Sequence, residues 1–207
     1  MRIGVVNMKQ EFNKKQYGAI TKVVNVILKW SITFVFVILG IMLVGFIAVV
    51  FIPQTLLNFN MANLEHINIQ FANIMYQINE NIFSGITNVK NMILIILFAG
   101  IVNLSFFQFV QIQLRKIVSS INDELPFKSS NAVILRNLGL GYIIASIVVS
   151  LINSWMMVVI VNTFEVYQAS INFSINLQMA FMGIIILILA YAFSYGSFLQ
   201  EEHDTTL

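Results

Sequence analysis

The chain has 207 residues, of which 58% are hydrophobic and only 10% charged, with a formal net charge of +2. Soluble domains carry about a quarter charged residues, so this composition excludes a water-soluble globule. The sequence contains no cysteine, which excludes disulfides, thiolate metal sites, a Cys nucleophile and a lipid-modified cysteine anchor.

Residues 1–28 come first. Met8, Phe12, Ile20, Val24 and Ile27 fall on a helical stripe with lysines between them, which predicts an interfacial helix resting on an anionic inner leaflet. From Trp30 to Ile52 there is then no charged residue. As a helix this run covers roughly 35 Å, enough to cross a hydrocarbon layer of roughly 30 Å with some tilt. Its Ile, Leu, Val and Phe residues each favour insertion by about 0.3–0.6 kcal/mol at the helix centre. β-Branched residues form helices weakly in water, but in lipid only a helix satisfies each N–H and C=O internally. The run exceeds the apolar length of a signal peptide, and no small-x-small cleavage pattern follows, so it reads as a retained signal-anchor.

Residues 53–90 form a loop. Pro53 ends the first span, and Leu57, Met61, Leu64, Phe71, Ile74, Ile78 and Ile82 recur mostly three or four residues apart. This spacing predicts an amphipathic extracytoplasmic helix that ends near Gly85. The alternation Ile67-Asn68-Ile69-Gln70-Phe71 also fits a strand.

Three further runs lack charge: Asn91–Leu114, Asn137–Phe164 and Val166–Gln200. With the first, they predict an all-α integral membrane four-helix bundle forming a single membrane domain. Its spans are 30–52, 91–114, 137–163 and 177–199. Between the second and third spans, residues 115–136, Leu125-Pro126-Phe127 marks a break and Ser129, Ser130 or Asn131 is placed to cap the next helix. Gly141, Ala145, Ser146, Ser150 and Ser154 in the third span, and Ala192 and Gly196 in the fourth, supply small residues for close helix approach.

Lys and Arg set orientation. Arg2, Lys9, Lys14, Lys15, Lys22 and Lys29 precede the first span, and Arg115, Lys116, Lys128 and Arg136 lie between the second and third. Lys90 alone lies in the 53–90 loop. Short positively charged segments stay inside, so both termini are expected in the cytoplasm, with the chain multi-pass in the cell membrane.

Chemistry is sparse. The four spans contain no charge to serve as proton relay or ion ligand. Asn103, Gln108, Asn153, Asn162 and Gln178 are the polar candidates within them, and buried amides in lipid ordinarily bridge helices. Glu65-His66 lacks the second His of H-E-x-x-H, and His203 stands without His or Cys partners. Neither a Walker A loop nor a G-x-S-x-G elbow occurs. No enzyme, no metal and no cofactor is expected.

Two segments carry a family resemblance. The first reads Leu114-Arg115-Lys116-Ile117, Leu125-Pro126-Phe127, Asn131 and Leu135-Arg136-Asn137-Leu138-Gly139. The second reads Ala192-Phe193-Ser194-Tyr195-Gly196 and Leu199-Gln200-Glu201-Glu202-His203-Asp204-Thr205-Thr206-Leu207. Together they resemble the DUF2975 family of small bacterial four-helix membrane proteins. Two positions depart from its pattern: Asp123-Glu124 where a Gly is common, and Ser194 where a basic residue is common.

That family has no established activity. Its members are often encoded beside a very small helix-turn-helix regulator, so the resemblance implies a membrane-bound regulatory partner of such a DNA-binding protein, without direct contact to nucleic acid. Arg115, Lys116, Pro126, Phe127, Asn131, Arg136, Gln200, Glu201, Glu202 and Asp204 would form the cytoplasmic partner surface. The acidic tail would pair with the regulator's basic surface and so compete with DNA. The alternative expectation is small-peptide transport or bacteriocin immunity, suggested by the long Asn-rich outer loop and the amides within the spans.

Overall fold

The computed structural model describes residues 2–60, 67–71, 74–78, 86–122, 129–163 and 174–205, with side chains left undescribed in 2–17, 58–88, 122 and 203–205. Four helices dominate: α1 (Arg2–Phe51), α2 (Lys90–Asn122), α3 (Ser129–Thr163) and α4 (Leu177–Thr205). Each is long and apolar enough to cross a membrane. Among the described residues forty large hydrophobic side chains are exposed, against twelve buried hydrophobic ones. Water does not tolerate that ratio on one surface; hydrocarbon does.

The first helix is longer than expected. Residues 2–28 do not form a separate interfacial helix but continue into the spanning run without a break. No proline and no glycine pair interrupts residues 2–51, and those are the usual causes of a helix break or kink. α3 begins at Ser129, so Asn131 lies inside its first turn.

The segment between α1 and α2 corrects the amphipathic helix expected there. A 3-10 turn (Gln54–Leu57) follows α1. Its described residues then form strands β1 (Asn58–Asn60), β2 (Ile67–Phe71), β3 (Ile74–Ile78) and β4 (Ile86–Asn88). β2 pairs antiparallel with β3, Phe71 opposite Ile74, and β1 pairs antiparallel with β4, Asn60 opposite Ile86. The two-residue period of Ile67-Asn68-Ile69-Gln70-Phe71 prevails over the three-and-four spacing, as suits isoleucines whose branched side chains favour extended backbone. Met61, Leu64 and Ile82 lie outside the described residues.

Two compact units divide the chain. The first comprises residues 1–38, 104–146 and 177–207; the second comprises 39–103 and 147–176.

In the first unit, sequential helices meet through glycine. A Cβ at Gly139 on α3 would lie 2.9 Å from the Gly183 carbonyl oxygen on α4, and one at Gly183 would lie 2.8 Å from the Gly139 carbonyl oxygen. Both are closer than side chains approach, so α3 and α4 touch backbone to backbone here. Gly141 does the same service for the Phe109 ring of α2, 2.6 Å from its would-be Cβ. Phe106 meets Tyr142 edge-on at 5.1 Å between centroids, the geometry ring quadrupoles favour. Ala145 and Ser146 are buried as expected. On α4 the phase differs from expectation: Ala190 is buried, whereas Ala192 is exposed and Gly196 half-buried.

The second unit holds a hydrophobic cluster of Val89, Ile95, Ala99, Met156 and Ile160. The rings of Phe46, Phe98 and Trp155 pack in series at 6.5 and 6.3 Å. The amide of Asn176 donates to Ser150 Oγ at 3.0 Å. Lys90, the first residue of α2, donates its ammonium to the carbonyls of Val50 and Ile52 at 2.9 and 2.8 Å. Those acceptors belong to the end of α1, where backbone carbonyls have no helical partner and the helix dipole is negative.

Candidate functional site

Polar side chains in a lipid-facing helix have two ways to be satisfied. Several here turn back on their own helix: Thr33 onto the Lys29 carbonyl, Asn103 onto Ala99, Ser146 onto Ile143, Thr163 onto Val159 and Ser197 onto Ser194. Such bonds remove the penalty of an unmet donor locally and recognise nothing. Asn103 is therefore a self-satisfied residue and not a bridge between helices.

Others reach across to a second helix, and three of these share one face in the first unit. Gln108, Gln111 and Arg115 fall at i, i+3 and i+7 on α2, which sets them on one helix face. They meet the face of α1 that bears Asn25, Ser31 and Ile32. Gln108 Nε2 donates to the Ile32 carbonyl at 3.2 Å, Gln111 Nε2 to Ser31 Oγ at 2.6 Å, and Arg115 Nε to Asn25 Oδ1 at 3.2 Å. α1 turns a narrow side to this contact. From Gly18 through Thr21, Asn25, Leu28, Ile32 and Val35, its shielded positions recur at alternating spacings of three and four, the repeat of a two-helix seam. Between these positions the described side chains of α1 in this unit are mostly exposed, among them Ile20, Val23, Val26, Ile27, Trp30, Phe34 and Phe36.

Gln108 and Gln111 are 4% and 6% exposed. Among the described residues, no donor reaches the Oε1 atom of either. A buried acceptor left this way costs about 1–3 kcal/mol, so the pair marks a place where the seam is not optimised for dry packing.

The expected partner-surface residues separate into three groups. Lys116, Arg136, Gln200, Glu201 and Glu202 are exposed at or beyond the ends of the uncharged runs. Arg115 is half-buried and committed to Asn25. Asn131 is 1% exposed and donates to Ser120 Oγ at 2.7 Å, which ties the start of α3 to the end of α2 and removes it from any outer surface. Pro126 and Phe127 lie outside the described residues, and Asp204 is described in its helical backbone only.

Sequence reasoning missed Gln111, Asn25 and Ser31. Their signal is the i, i+3, i+7 set on α2 opposite small polar residues on α1; each residue alone sits near the end of a span and reads as boundary polarity. Ten of the eleven Lys and Arg residues belong to the first unit, with Lys90 alone in the second. Among the described residues no group of three or more His, Cys, Asp or Glu is placed to hold a metal ion.

A family model described as a protein of unknown function, DUF2975, matches residues 65–207. The match covers α2, α3, α4 and much of the strand-bearing segment, and leaves α1 outside. No curated protein and no solved structure matches the chain.

Proposed function

Because the chain belongs to the DUF2975 family of proteins of unknown function, we propose that it is a non-enzymatic regulatory membrane protein that holds a small helix-turn-helix DNA-binding protein at the cytoplasmic side. In this reading both termini are cytoplasmic and the strand-bearing segment lies outside. The asymmetry of basic residues supports the orientation. The observation that carries the reading is the set of exposed charges on helix ends of the first unit. Lys116 and Arg136 are basic; Glu201 and Glu202, on α4, are acidic. A basic DNA-binding partner would meet the acidic end of α4 and be steered away from the basic positions, which favours one docking orientation.

The test is a crosslinked pull-down from native membranes. The full chain is expected to recover a small helix-turn-helix protein, and a chain ending at Leu199 is expected to lose it while still inserting. Equal recovery from both chains removes the tail from the reading.

Small-peptide transport or immunity is favoured by one observation. β2 and β3 form a two-stranded ribbon, and ribbon edges accept an extended peptide through strand addition. Recovery of envelope proteins alone, together with toxin sensitivity that rises on deleting the gene, would move the assignment there.

A further inference from the structure

In the first unit the packed contacts run in chain order. α1 meets α2 through Asn25, Ser31 and Ile32. α2 meets α3 where Phe109 fills the notch at Gly141, and α3 meets α4 where Gly139 faces Gly183. α1 and α4 are the outer members, and each shows one packed seam. On α4 it is Gly183, Ile186, Ala190, Phe193 and Ser197, buried or half-buried at alternating spacings of three and four, as on α1. Opposite the seams lie Ile20, Ile27 and Phe34 on α1 and Phe181, Ile188 and Tyr195 on α4, all 57–67% exposed.

Lipid tails cover such faces only within the hydrocarbon. Arg115 and Arg136 border uncharged runs and mark its edge. The bond from Asn131 to Ser120 sets them level, five residues on along α3 and five back along α2. Arg115 in turn bonds Asn25, so Ile20 lies about 7 Å past that edge. Leu187 lies against Gly139, three residues from Arg136, so Tyr195 also lies about 7 Å past it. The two exposed side chains share one depth, beyond the cover of hydrocarbon. Their surroundings carry opposite charge. Arg2, Lys9, Lys14, Lys15 and Lys22 on α1 outnumber Glu11, whereas α4 has no basic residue and carries Glu201, Glu202 and Asp204.

We propose that the outer face of α1 packs against the outer face of α4 in a second copy of this chain. Successive helices run oppositely, so α1 begins at the end of the unit where α4 finishes. The basic start of one copy then meets the acidic finish of the next at matched depth. Pairing α1 with α1, or α4 with α4, would set like charges together, which selects the mixed contact. Each copy holds both halves of it, so copies related by rotation close into a ring. Glu202 continues the line of Ile188 and Tyr195 in steps of seven residues. Glu201 is turned about 100° from that line, so the contact neither requires nor excludes the regulator proposed above.

The chain has no cysteine, so introduced cysteines report without background. Ile27 and Ile188 each lie two residues to the hydrocarbon side of the Asn25 and Ala190 level. Two differently tagged full-length chains, one Ile27→Cys and one Ile188→Cys, are co-expressed and their membranes oxidised. A disulfide joining the two tags is expected, well above any product of either variant alone. Adding Glu202→Lys to the second chain is expected to lower the mixed product several-fold. Products of one variant alone that exceed the mixed one place like helices together and overturn the proposal. Absence of any crosslink leaves the faces to lipid and overturns it too. A mixed product undiminished by Glu202→Lys overturns the charge-matched contact.

Discussion

At the scale of single residues, glycine decides where helices touch. Gly183→Ala sets a methyl against the Gly139 carbonyl oxygen and the Ile143 backbone, neither of which rotates away. The expected cost is about 1–3 kcal/mol, measured as a lower thermal midpoint in bilayers or mild detergent. Gly45→Ala meets nothing within 4 Å, and is expected to leave stability unchanged or raise it by about 0.5–1 kcal/mol through the lower helix cost of alanine. The two glycines look alike in sequence. Gly141 was legible because small residues follow it at helical spacing. Gly139 and Gly183 were not, because a glycine in an apolar run carries no mark of which neighbour approaches it. Ala192 was misread for a related reason: α4 is apolar on every side, so the sequence holds no phase to separate it from the buried Ala190.

At the scale of elements, the spans themselves were plain in the sequence, because charge is excluded from hydrocarbon and twenty-residue gaps between charges are conspicuous. Their packed faces were hidden. Lipid and a neighbouring helix are equally apolar, so the hydrophobic periodicity that marks a buried face in water is lost. What survives is the polar residue that needs a partner, such as Asn25 or Gln111. The strand-bearing segment failed for a different reason. Isoleucine and asparagine alternate there over a few residues and also recur at helical spacing, so two periods compete in one stretch. Lys90 fastens the element boundary. Lys90→Met is expected to free the carbonyls of Val50 and Ile52 and cost on the order of 1–3 kcal/mol, read as a lower unfolding midpoint with insertion unchanged. An arginine there, still a donor at that position, is expected to recover part of the loss.

At the scale of the whole molecule, the family match stops short of α1, which is also the helix with the widest apolar exposure. The candidate surface was half legible. Lys116, Arg136, Glu201 and Glu202 stand exposed on helix ends as the sequence suggests, since charges bordering a span have only the interface to occupy. Asn131 was drawn into the list by its place in the family pattern, but its amide is spent on Ser120. A motif residue can recur for folding reasons alone.

The β1–β4 ladder gives the chain a neck. Asn60 and Ile86 face each other as the last pair of that ladder, and Lys90 and the Val89 amide secure the base, the latter on the Leu57 carbonyl at 3.2 Å. The chain therefore leaves β1 and re-enters at β4 through one paired point. An Asn-Gly turn is the natural closure for such a pair. Excising 61–85 and joining Asn60 to Ile86 through Asn-Gly is expected to leave insertion and the Lys90 clasp intact, checked by membrane fractionation and unfolding midpoint. The same point would accept a foreign domain whose own ends lie close together. The stretch between Asn60 and Ile86 is thus expected to behave as a cassette: a part that evolution, or an engineer, can exchange.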